Sequence, residues 1–167
     1  RLQRTDGLLE RECDKLIRND RVTFGACMVS CGDADAMVTG NTRRYSASLE
    51  KISKVVDPRP GEIMFGLNMI VNRGKTIFIC DTTVIEYPDE KQLAEMAISA
   101  ARVVRLFGFD PKIAFLSHST FGKPISKNTK HVRDAIDLLR KEKVEFDFDG
   151  EMQPDVALNP IYKDIYP

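Results

Sequence analysis

Residues 22–45 decide the fold of this chain and read VTFGACMVSCGDADAMVTGNTRRY. The first part is an apolar run of helical character, and Gly32 is placed to be the left-handed residue that follows a helix. Two aspartates, Asp33 and Asp35, then lead into the residues AMVT at 36–39, which we predict to form a short buried strand. The stretch therefore predicts a helix that passes almost directly into a strand.

Two arginines follow this predicted strand. Gly40 ends the strand and opens a loop that carries Arg43 and Arg44. In open α/β sheets, ligands bind just outside the carboxyl ends of the strands. Because a guanidinium group matches the geometry of phosphate and carboxylate, the pair indicates an anion site. Composition alone leaves a second interpretation open, in which the loop is a solvent-exposed basic turn.

The composition is that of an ordinary globular protein. The chain has 167 residues, of which 43% are hydrophobic and 30% are charged, enough for one domain or one domain and part of another. Lys+Arg and Asp+Glu both number 25, and no block of five or more like charges occurs. No apolar run is long enough to span a bilayer, and no signal peptide opens the chain. We expect a cytoplasmic protein with neither a nucleic-acid nor a membrane partner.

The four cysteines and two histidines limit the possible chemistry. Cys27 and Cys31 lie four residues apart on a predicted helix, but no matching His or Cys pair completes a zinc site. We therefore expect buried cysteines in a reducing compartment, with no disulfide and no metal. His118 could act as a general base near pH 7, although no serine–histidine–acid spacing supports a catalytic triad.

Apolar spacing and turn residues predict alternating helices and strands, which indicates an α/β fold with a mostly parallel sheet and one antiparallel hairpin. The predicted helices cover about residues 9–19, 20–30, 46–56, 89–107 and 126–141, with a last helix near Pro154, and the predicted strands cover residues 36–39, 63–71, 76–80, 113–116 and 144–148. Ser46, Asp89 and Gln92 are placed to cap helices. The run 113–116 is predicted to be buried on both faces of the sheet.

The sequence DPRPG at residues 57–61 is the best candidate for a boundary, because two prolines so close together cannot continue a helix. We predict one unit at residues 1–60 and another at residues 61–167. Polar loops with a glycine follow three predicted strands, at residues 40–45, 117–122 and 149–152. If the strands run parallel, all three loops can line one crevice.

The loop at residues 117–122, SHSTFG, offers three hydroxyl groups and free backbone N–H groups ahead of a helix. This pattern favours a cradle for phosphate, and a helix-capping loop with spare hydroxyls is the alternative. Asp149 and Glu151 either present carboxylates to a ligand or cap the next helix. No Gly-x-Gly-x-x-Gly and no P-loop occurs, so we do not expect a dinucleotide to bind by the usual route.

The ends of the chain predict a piece of a longer polypeptide. The chain begins with Arg1 instead of methionine, and it stops at Pro167 directly after a predicted helix.

Three separated segments, at residues 24–40, 116–122 and 149–158, resemble the phosphate acetyl/butyryl transferase family. The resemblance covers nearly the whole chain in the right order. It implies a three-layer α/β/α fold in two lobes, related to isocitrate and isopropylmalate dehydrogenases, with residues 1–60 as part of the first lobe and one lobe incomplete. It also implies a cleft between the lobes for coenzyme A thioesters, and assembly into dimers or higher oligomers.

One loop separates two branches of this family. Phosphate acetyltransferases typically have a His-Thr-Thr run after Gly40, followed by an Arg-Pro whose arginine serves the phosphate. This chain has TRRY at residues 42–45 and is similar to the C-terminal, phosphotransacetylase-like domain of bacterial bifunctional, NADP-type malic enzymes. Glu50 and Lys51 stand at the Arg-Pro position, and a carboxylate there repels phosphate. The catalytic Ser-Arg-Gly segment would lie beyond Pro167, so we expect no catalytic residue in this chain.

The resemblance therefore implies a regulatory domain that senses acetyl-CoA, assembles the oligomer and carries no cofactor of its own. A malic-enzyme catalytic domain in the same polypeptide would convert malate to pyruvate with NADP and a divalent metal. A truncated, active phosphate acetyltransferase and a purely oligomerising module are the alternatives. The expected acetyl-CoA or anion-binding residues are Arg43, Arg44, Ser117, Ser119, Thr120, Gly122, Lys123, Asp149 and Glu151.

Overall fold

The computed structural model describes residues 7–123 and 129–165. The chain divides into two compact units between Arg59 and Pro60. The assignment of these units to two lobes of a transferase-like domain stays a prediction. The predicted start of a helix at Ser126 and the last two residues of the chain lie outside the described residues.

The described part of the first unit, from residue 7 onward, contains three helices, which are α1 (Glu10–Asn19), α2 (Arg21–Cys31) and α3 (Tyr45–Ser53). Asp20 precedes α2, and its carboxylate accepts the N–H of Thr23, while Gly32 ends α2 with a φ of 82°. This glycine was predicted to be left-handed, and the prediction is confirmed. The predicted cap at Ser46 is wrong, because α3 already begins at Tyr45 and Arg44 occupies the capping position.

A small apolar core holds these helices together. Ala26 and Val55 are buried, and partly buried side chains pack around them. Those side chains are Leu8, Cys13, Leu16, Ile17, Cys27, Met37, Ile52 and Val56. All four cysteines are free, but Cys31 and Cys80 are exposed, so the prediction of buried cysteines is wrong for these two.

The predicted strand at residues 36–39 is not present. These residues are irregular, and Val38 is fully exposed. A strand needs a neighbour that takes up its backbone hydrogen bonds, and no strand in the described part of the chain pairs with this segment. The apolar pattern identified a segment that is able to form a strand. A local pattern does not indicate whether a neighbouring strand is available to pair with it.

The second unit combines a hairpin with a parallel pair of strands. Its elements in chain order are β1 (Leu67–Asn72), β2 (Lys75–Cys80), α4 (Glu90–Leu106), β3 (Lys112–Leu116), α5 (Lys130–Glu142), β4 (Asp147–Met152), α6 (Pro154–Leu158) and a 3₁₀ helix (Pro160–Asp164). β1 and β2 are antiparallel, and Gly74 in their turn has a φ of 77°, as a hairpin turn requires. β3 and β4 are parallel, with Ala114 opposite Asp149. The predicted α/β class, with parallel strands and an antiparallel hairpin, is confirmed.

The core of this unit lies where α4 and α5 cover the parallel strands. Its buried residues are Ala94, Ala97, Phe115, Val132, Ala135, Ile136 and Leu139. The prediction that β3 is buried on both faces is wrong, since Leu116 is exposed while Phe115 faces the core. In the part of the chain that the structure describes, no helix is long and apolar enough to cross a membrane.

Candidate functional site

The candidate site of the second unit is built around the carboxylate of Glu151. The prediction that residues 149–151 form a loop after a strand is wrong, because all three belong to β4. Regular alternation would place the side chains of Asp149 and Glu151 on the same face of the strand, but the register between β3 and β4 shifts at Glu151. Phe115 pairs with Gly150, and Leu116 pairs with Met152. Asp149 is exposed, whereas Glu151 is completely removed from solvent, with 0% of the residue accessible. A carboxylate in such a position needs hydrogen bonds and a cation to stay charged.

Both kinds of partner are present. A guanidinium nitrogen of Arg133 on α5 lies 2.8 Å from Oε1 and 3.1 Å from Oε2 of Glu151. The hydroxyl of Ser119 donates to Oε1 at 2.8 Å, and the N–H of Gly122 donates to the same oxygen at 3.1 Å. The hydroxyl of Thr129, at the start of α5, lies 3.4 Å from this oxygen. The carboxylate therefore joins β4, α5 and the loop that follows β3.

That loop, residues 117–123, is tied to β4 along its length, and we call it the 117–123 loop. The N–H of Ser117 donates to the carbonyl of Met152 at 2.9 Å, and the N–H of Phe121 donates to the carbonyl of Glu151 at 2.7 Å. Thr120 and Lys123 each donate their N–H to the carbonyl of the other at 3.0 Å. The prediction that this loop offers free backbone N–H groups is therefore wrong for these residues, because the protein itself uses them.

The predicted ligand residues of this unit fall into three groups by their exposure to solvent. Ser119, Thr120 and Glu151 are buried inside the second unit, where they support the 117–123 loop. Lys123 and Asp149 are exposed. The half-buried Ser117 and Gly122 complete the set. An open depression of about 520 Å³ lies beside the strands, and its lining includes Phe121, Asp149, Met152 and Tyr162.

Arg43 and Arg44, the two arginines predicted to bind an anion, belong to the first unit and differ in their contacts. A nitrogen of Arg43 lies 3.4 Å from Oδ1 of Asp20, and Lys51 Nζ lies 2.7 Å from the same oxygen. Arg44 is exposed immediately before α3. Burial raises the pKa of Asp20, but hydrogen bonds from Lys51 and Thr23 outweigh it and hold that pKa well below its usual range. Asp20 therefore stays ionised beside two cations.

Glu50, the residue expected to repel phosphate, is directed to solvent. Its carboxylate forms an exposed ion pair at 3.0 Å with Lys54, the residue that directly follows α3. Lys51, its neighbour in the sequence, instead points toward Asp20. Glu50 thus faces solvent, whereas Lys51 faces the buried carboxylate of Asp20.

A third carboxylate, Asp81, organises the segment after β2. Its Oδ1 accepts the N–H groups of Gly66, Thr83 and Val84, and its Oδ2 accepts the N–H of Ile85. Burial raises its pKa, but these backbone hydrogen bonds prevail and lower it. Four N–H groups on one carboxylate fix the turn that leads toward α4.

The sequence reasoning missed Asp20, Lys51, Asp81 and Arg133. Arg133 carried no local signal, because it follows Val132 by one position and therefore does not share its face of the helix. Asp20 carried one signal, because it stands at the start of the helix predicted at about residues 20–30, where aspartate is a favoured cap. The pairing of Asp20 with Lys51 joins residues 31 positions apart, and no local pattern indicates it.

The arrangement as a whole is typical of one class of protein. A parallel pair of strands is covered by helices, and the polar 117–123 loop stands at the carboxyl end of β3, where α/β proteins bind ligands. A family model for phosphate acetyl/butaryl transferase matches residues 1–164, and the chain belongs to this family.

Relatives of two kinds are found. The chain is 43% identical over 167 residues to an NADP-dependent malic enzyme of Rhizobium meliloti (strain 1021), which covers 100% of this chain and 22% of that enzyme. It is 29% identical over 160 residues to a phosphate acetyltransferase of Bacillus subtilis (strain 168), covering 95% of this chain and 50% of the relative. The predicted resemblance to the transferase-like part of malic enzymes is confirmed.

A solved structure agrees with this assignment. A phosphotransacetylase from Streptococcus pyogenes superposes with a TM-score of 0.81 at 29% identity, over 93% of this chain and 48% of that protein. The chain thus spans about half of each of these two transferases and less than a quarter of the malic enzyme.

Proposed function

We propose that this chain is the regulatory, acetyl-CoA-sensing and oligomerising domain of a cytoplasmic, NADP-dependent malic enzyme. A separate catalytic domain of the parent polypeptide oxidatively decarboxylates malate to pyruvate with NADP and a divalent metal. The 43% identity to a malic enzyme extends over the whole of this chain but over only 22% of that enzyme. Those proportions support a parent whose catalytic domain is separate from this chain.

The regulatory role rests on one observation, which is the negative charge of Glu50 and its ion pair with Lys54. The resemblance to phosphate acetyltransferases implies a phosphate-binding arginine at this position. Here the side chain is negative, and it is paired with Lys54 at 3.0 Å. A carboxylate provides no charge to neutralise phosphate and repels it at close range. Acetyl-CoA therefore acts as an effector in this proposal and not as a substrate.

Each unit, taken by itself, has cations that suit the phosphates of acetyl-CoA. Coenzyme A carries a 3′-phosphate and a pyrophosphate, which favour arginine and lysine partners. Arg43 and Arg44 supply two cations in the first unit, and in the second unit Lys123 supplies an exposed one on the loop that also carries the half-buried Ser117. The buried Glu151 network holds the 117–123 loop in one shape and so reduces the cost of ordering it around a ligand.

Exposed apolar side chains support the oligomerising role. Met69, Ile70 and Val71 on β1 and Leu106 at the end of α4 are large, apolar and exposed. The free energy falls when another subunit covers apolar surface of this kind, which favours association. Sedimentation of the parent polypeptide is expected to show a dimer or a higher oligomer. A monomer throughout the micromolar range would contradict this part of the proposal.

An active phosphate acetyltransferase is the second candidate, favoured by the 29% identity to the Bacillus subtilis enzyme. Two assays on the parent polypeptide separate the candidates. We expect malate-dependent NADP reduction whose rate changes with acetyl-CoA, and no acetyl phosphate from acetyl-CoA and inorganic phosphate. Formation of acetyl phosphate at ordinary phosphate concentrations would overturn the regulatory proposal and support the transferase.

A further inference from the structure

β1 is an edge strand in the described part of the chain. There it pairs with β2 alone, and no neighbouring strand lies along its other edge. The backbone N–H and C=O groups on such an edge can accept a strand from another chain. Natural proteins usually prevent this with charged side chains, proline or a β-bulge at the edge. β1 has none of these features, because its sequence is LNMIVN and its register with β2 is regular.

The side chains of β1 are apolar on both faces of the hairpin and lie open to solvent. Ile70 is 46% exposed on one face, while Met69 and Val71 are 48% and 66% exposed on the other. Met69 lies opposite Phe78 in the hairpin. The ring of Phe78 contacts that of Phe107, the exposed residue directly after α4, with 5.8 Å between the ring centroids. The apolar surface therefore extends from the strand to the end of α4.

The turn of the hairpin indicates which backbone groups face the free edge of β1. Residues 73–74 both have positive φ, of 48° and 77°, as in a type I′ turn. A turn of this kind bonds the residues on either side of it, Asn72 and Lys75, and the hydrogen bonds then alternate along the antiparallel pair. The N–H and C=O groups of Met69 and Val71 therefore face outward, away from β2.

The sequence of β1 is symmetric about Ile70. On either side of this residue stand an apolar residue and then an asparagine, since the sequence of residues 68–72 is NMIVN. If two copies of β1 run antiparallel with the two Ile70 residues opposite each other, Met69 faces Val71 of the partner subunit. Asn68 likewise faces Asn72 of the partner subunit. Apolar side chains then meet apolar ones, amides meet amides, and no like charges are opposed.

The same register suits the backbone. Residues on either side of a central pair without hydrogen bonds are the ones that exchange N–H···O=C bonds in an antiparallel ladder. With Ile70 at the centre, those residues are Met69 and Val71, whose backbone groups face the free edge. Side-chain pairing and backbone pairing thus favour one and the same arrangement.

We propose that β1 pairs with β1 of a second copy of the parent polypeptide, antiparallel and centred on Ile70, so that two hairpins form one four-stranded sheet. The partner is a second copy because the strand complements itself, as a contact across a two-fold axis requires. This inference rests on the proposed function, since it assigns the contact through which the domain oligomerises. It adds the strand, its orientation and its register.

The first test is disulfide cross-linking of the full-length parent polypeptide. The two Ile70 positions form a pair without hydrogen bonds, whose Cα atoms lie about 4.5 Å apart in antiparallel sheets and within the range of a disulfide. We expect Ile70→Cys to form a covalent dimer with oxidised glutathione, seen on a non-reducing gel. Asn68→Cys is the matched control on the same face, because two copies of residue 68 lie roughly 14 Å apart in this register. The wild type measures the background from the exposed Cys31 and Cys80.

The second test is sedimentation of charged variants of the parent polypeptide. Ile70→Lys places two ammonium groups opposite each other, so we expect association to weaken at least about tenfold. Mixing this variant with Ile70→Glu should restore association, because opposite charges then meet. Ile161→Lys makes the same substitution at another exposed isoleucine of the second unit and should leave association unchanged.

The outcomes separate this inference from the proposed function. An oligomeric wild type whose association is unchanged in Ile70→Lys would overturn the pairing but leave the oligomerising role standing, with the free edge of β1 covered by another segment of the parent. Equal cross-linking of Ile70→Cys and Asn68→Cys would overturn the register. A monomeric wild type would overturn both proposals. If Ile70→Lys does not fold by circular dichroism, the cross-linking comparison decides.

Discussion

Glu151 and Arg133 form an ion pair in which the acidic partner is completely buried and the basic partner is 36% exposed. Removing a carboxylate from water is costly, and an ion pair offsets that cost only with good geometry and further hydrogen bonds. Ser119 and Gly122 provide those hydrogen bonds from the 117–123 loop. The pair therefore connects β4 to α5 and fixes the loop at the same time, which makes it the structural centre of the second unit's candidate site.

Glu151→Gln should destabilise the second unit. The substitution keeps the size of the side chain but removes the charge that Arg133 and the loop donors share, at an expected cost of about 3 kcal/mol in the free energy of unfolding. Urea unfolding monitored by circular dichroism measures the change. Asp137→Asn is the matched control on α5, because its pair with Arg140 is exposed and should contribute less than about 0.5 kcal/mol. Equal effects of the two substitutions would contradict the role assigned to Glu151.

Asp81→Asn should show how much the four backbone hydrogen bonds to this carboxylate contribute to folding stability, and how that contribution depends on pH. The folded-state pKa of Asp81 lies below its unfolded value, so its stabilisation is fully present above about pH 4 and is lost as the pH falls through the folded pKa. We expect the variant to be less stable than the wild type by about 1–2 kcal/mol at pH 6. The difference should shrink in more acidic solution. Asp110→Asn, at an exposed position, is the control, and a difference independent of pH would contradict the argument.

Gly150→Ala should be more damaging than Gly74→Ala. Both glycines have positive φ values, of 141° and 77°, so an alanine is strained at either position. A Cβ at Gly150 would also lie 2.7 Å from the carbonyl oxygen of Phe115, whereas a Cβ at Gly74 meets nothing within 4 Å. We expect about 1 kcal/mol of destabilisation for Gly74→Ala and at least about 2 kcal/mol for Gly150→Ala. Thermal unfolding of the two variants side by side measures the order, and a reversed order would refute the packing argument.

Local features of the fold were predictable from the sequence because each depends on a few neighbouring residues. Asp89 and Gln92 exchange hydrogen bonds as a capping box at the start of α4, as their spacing indicates. Gly32 adopts the left-handed conformation that follows a helix. Pro154 begins α6, where its missing N–H costs nothing.

Features that join distant segments were not predictable in this way. Residues 36–39 have the composition of a strand, but the hydrogen-bonding partner of a strand is not encoded within it. The spacing of Asp149 and Glu151 did not indicate that β4 would hide one carboxylate and expose the other. The partner that makes such burial possible, Arg133, lies 18 positions earlier on a different element. Candidate residues could therefore be named from the sequence, whereas their division into exposed and supporting groups required the three-dimensional structure.

Arg43 and Arg44 should be required for the effect of acetyl-CoA on malate turnover. Reversing the charge of both Arg43 and Arg44 in the parent polypeptide should weaken acetyl-CoA binding by roughly 1–3 kcal/mol for each charge-assisted hydrogen bond that the substitutions remove. Allosteric coupling requires the effector to bind one state of the enzyme more tightly than another, so the double variant should also abolish the acetyl-CoA effect on malate kinetics. Arg18→Glu, an exposed charge reversal on α1, is the control. Calorimetry and steady-state assays decide the roles: unchanged affinity with an unchanged response would remove both arginines from the site, and unchanged affinity without a response would assign them to the coupling instead.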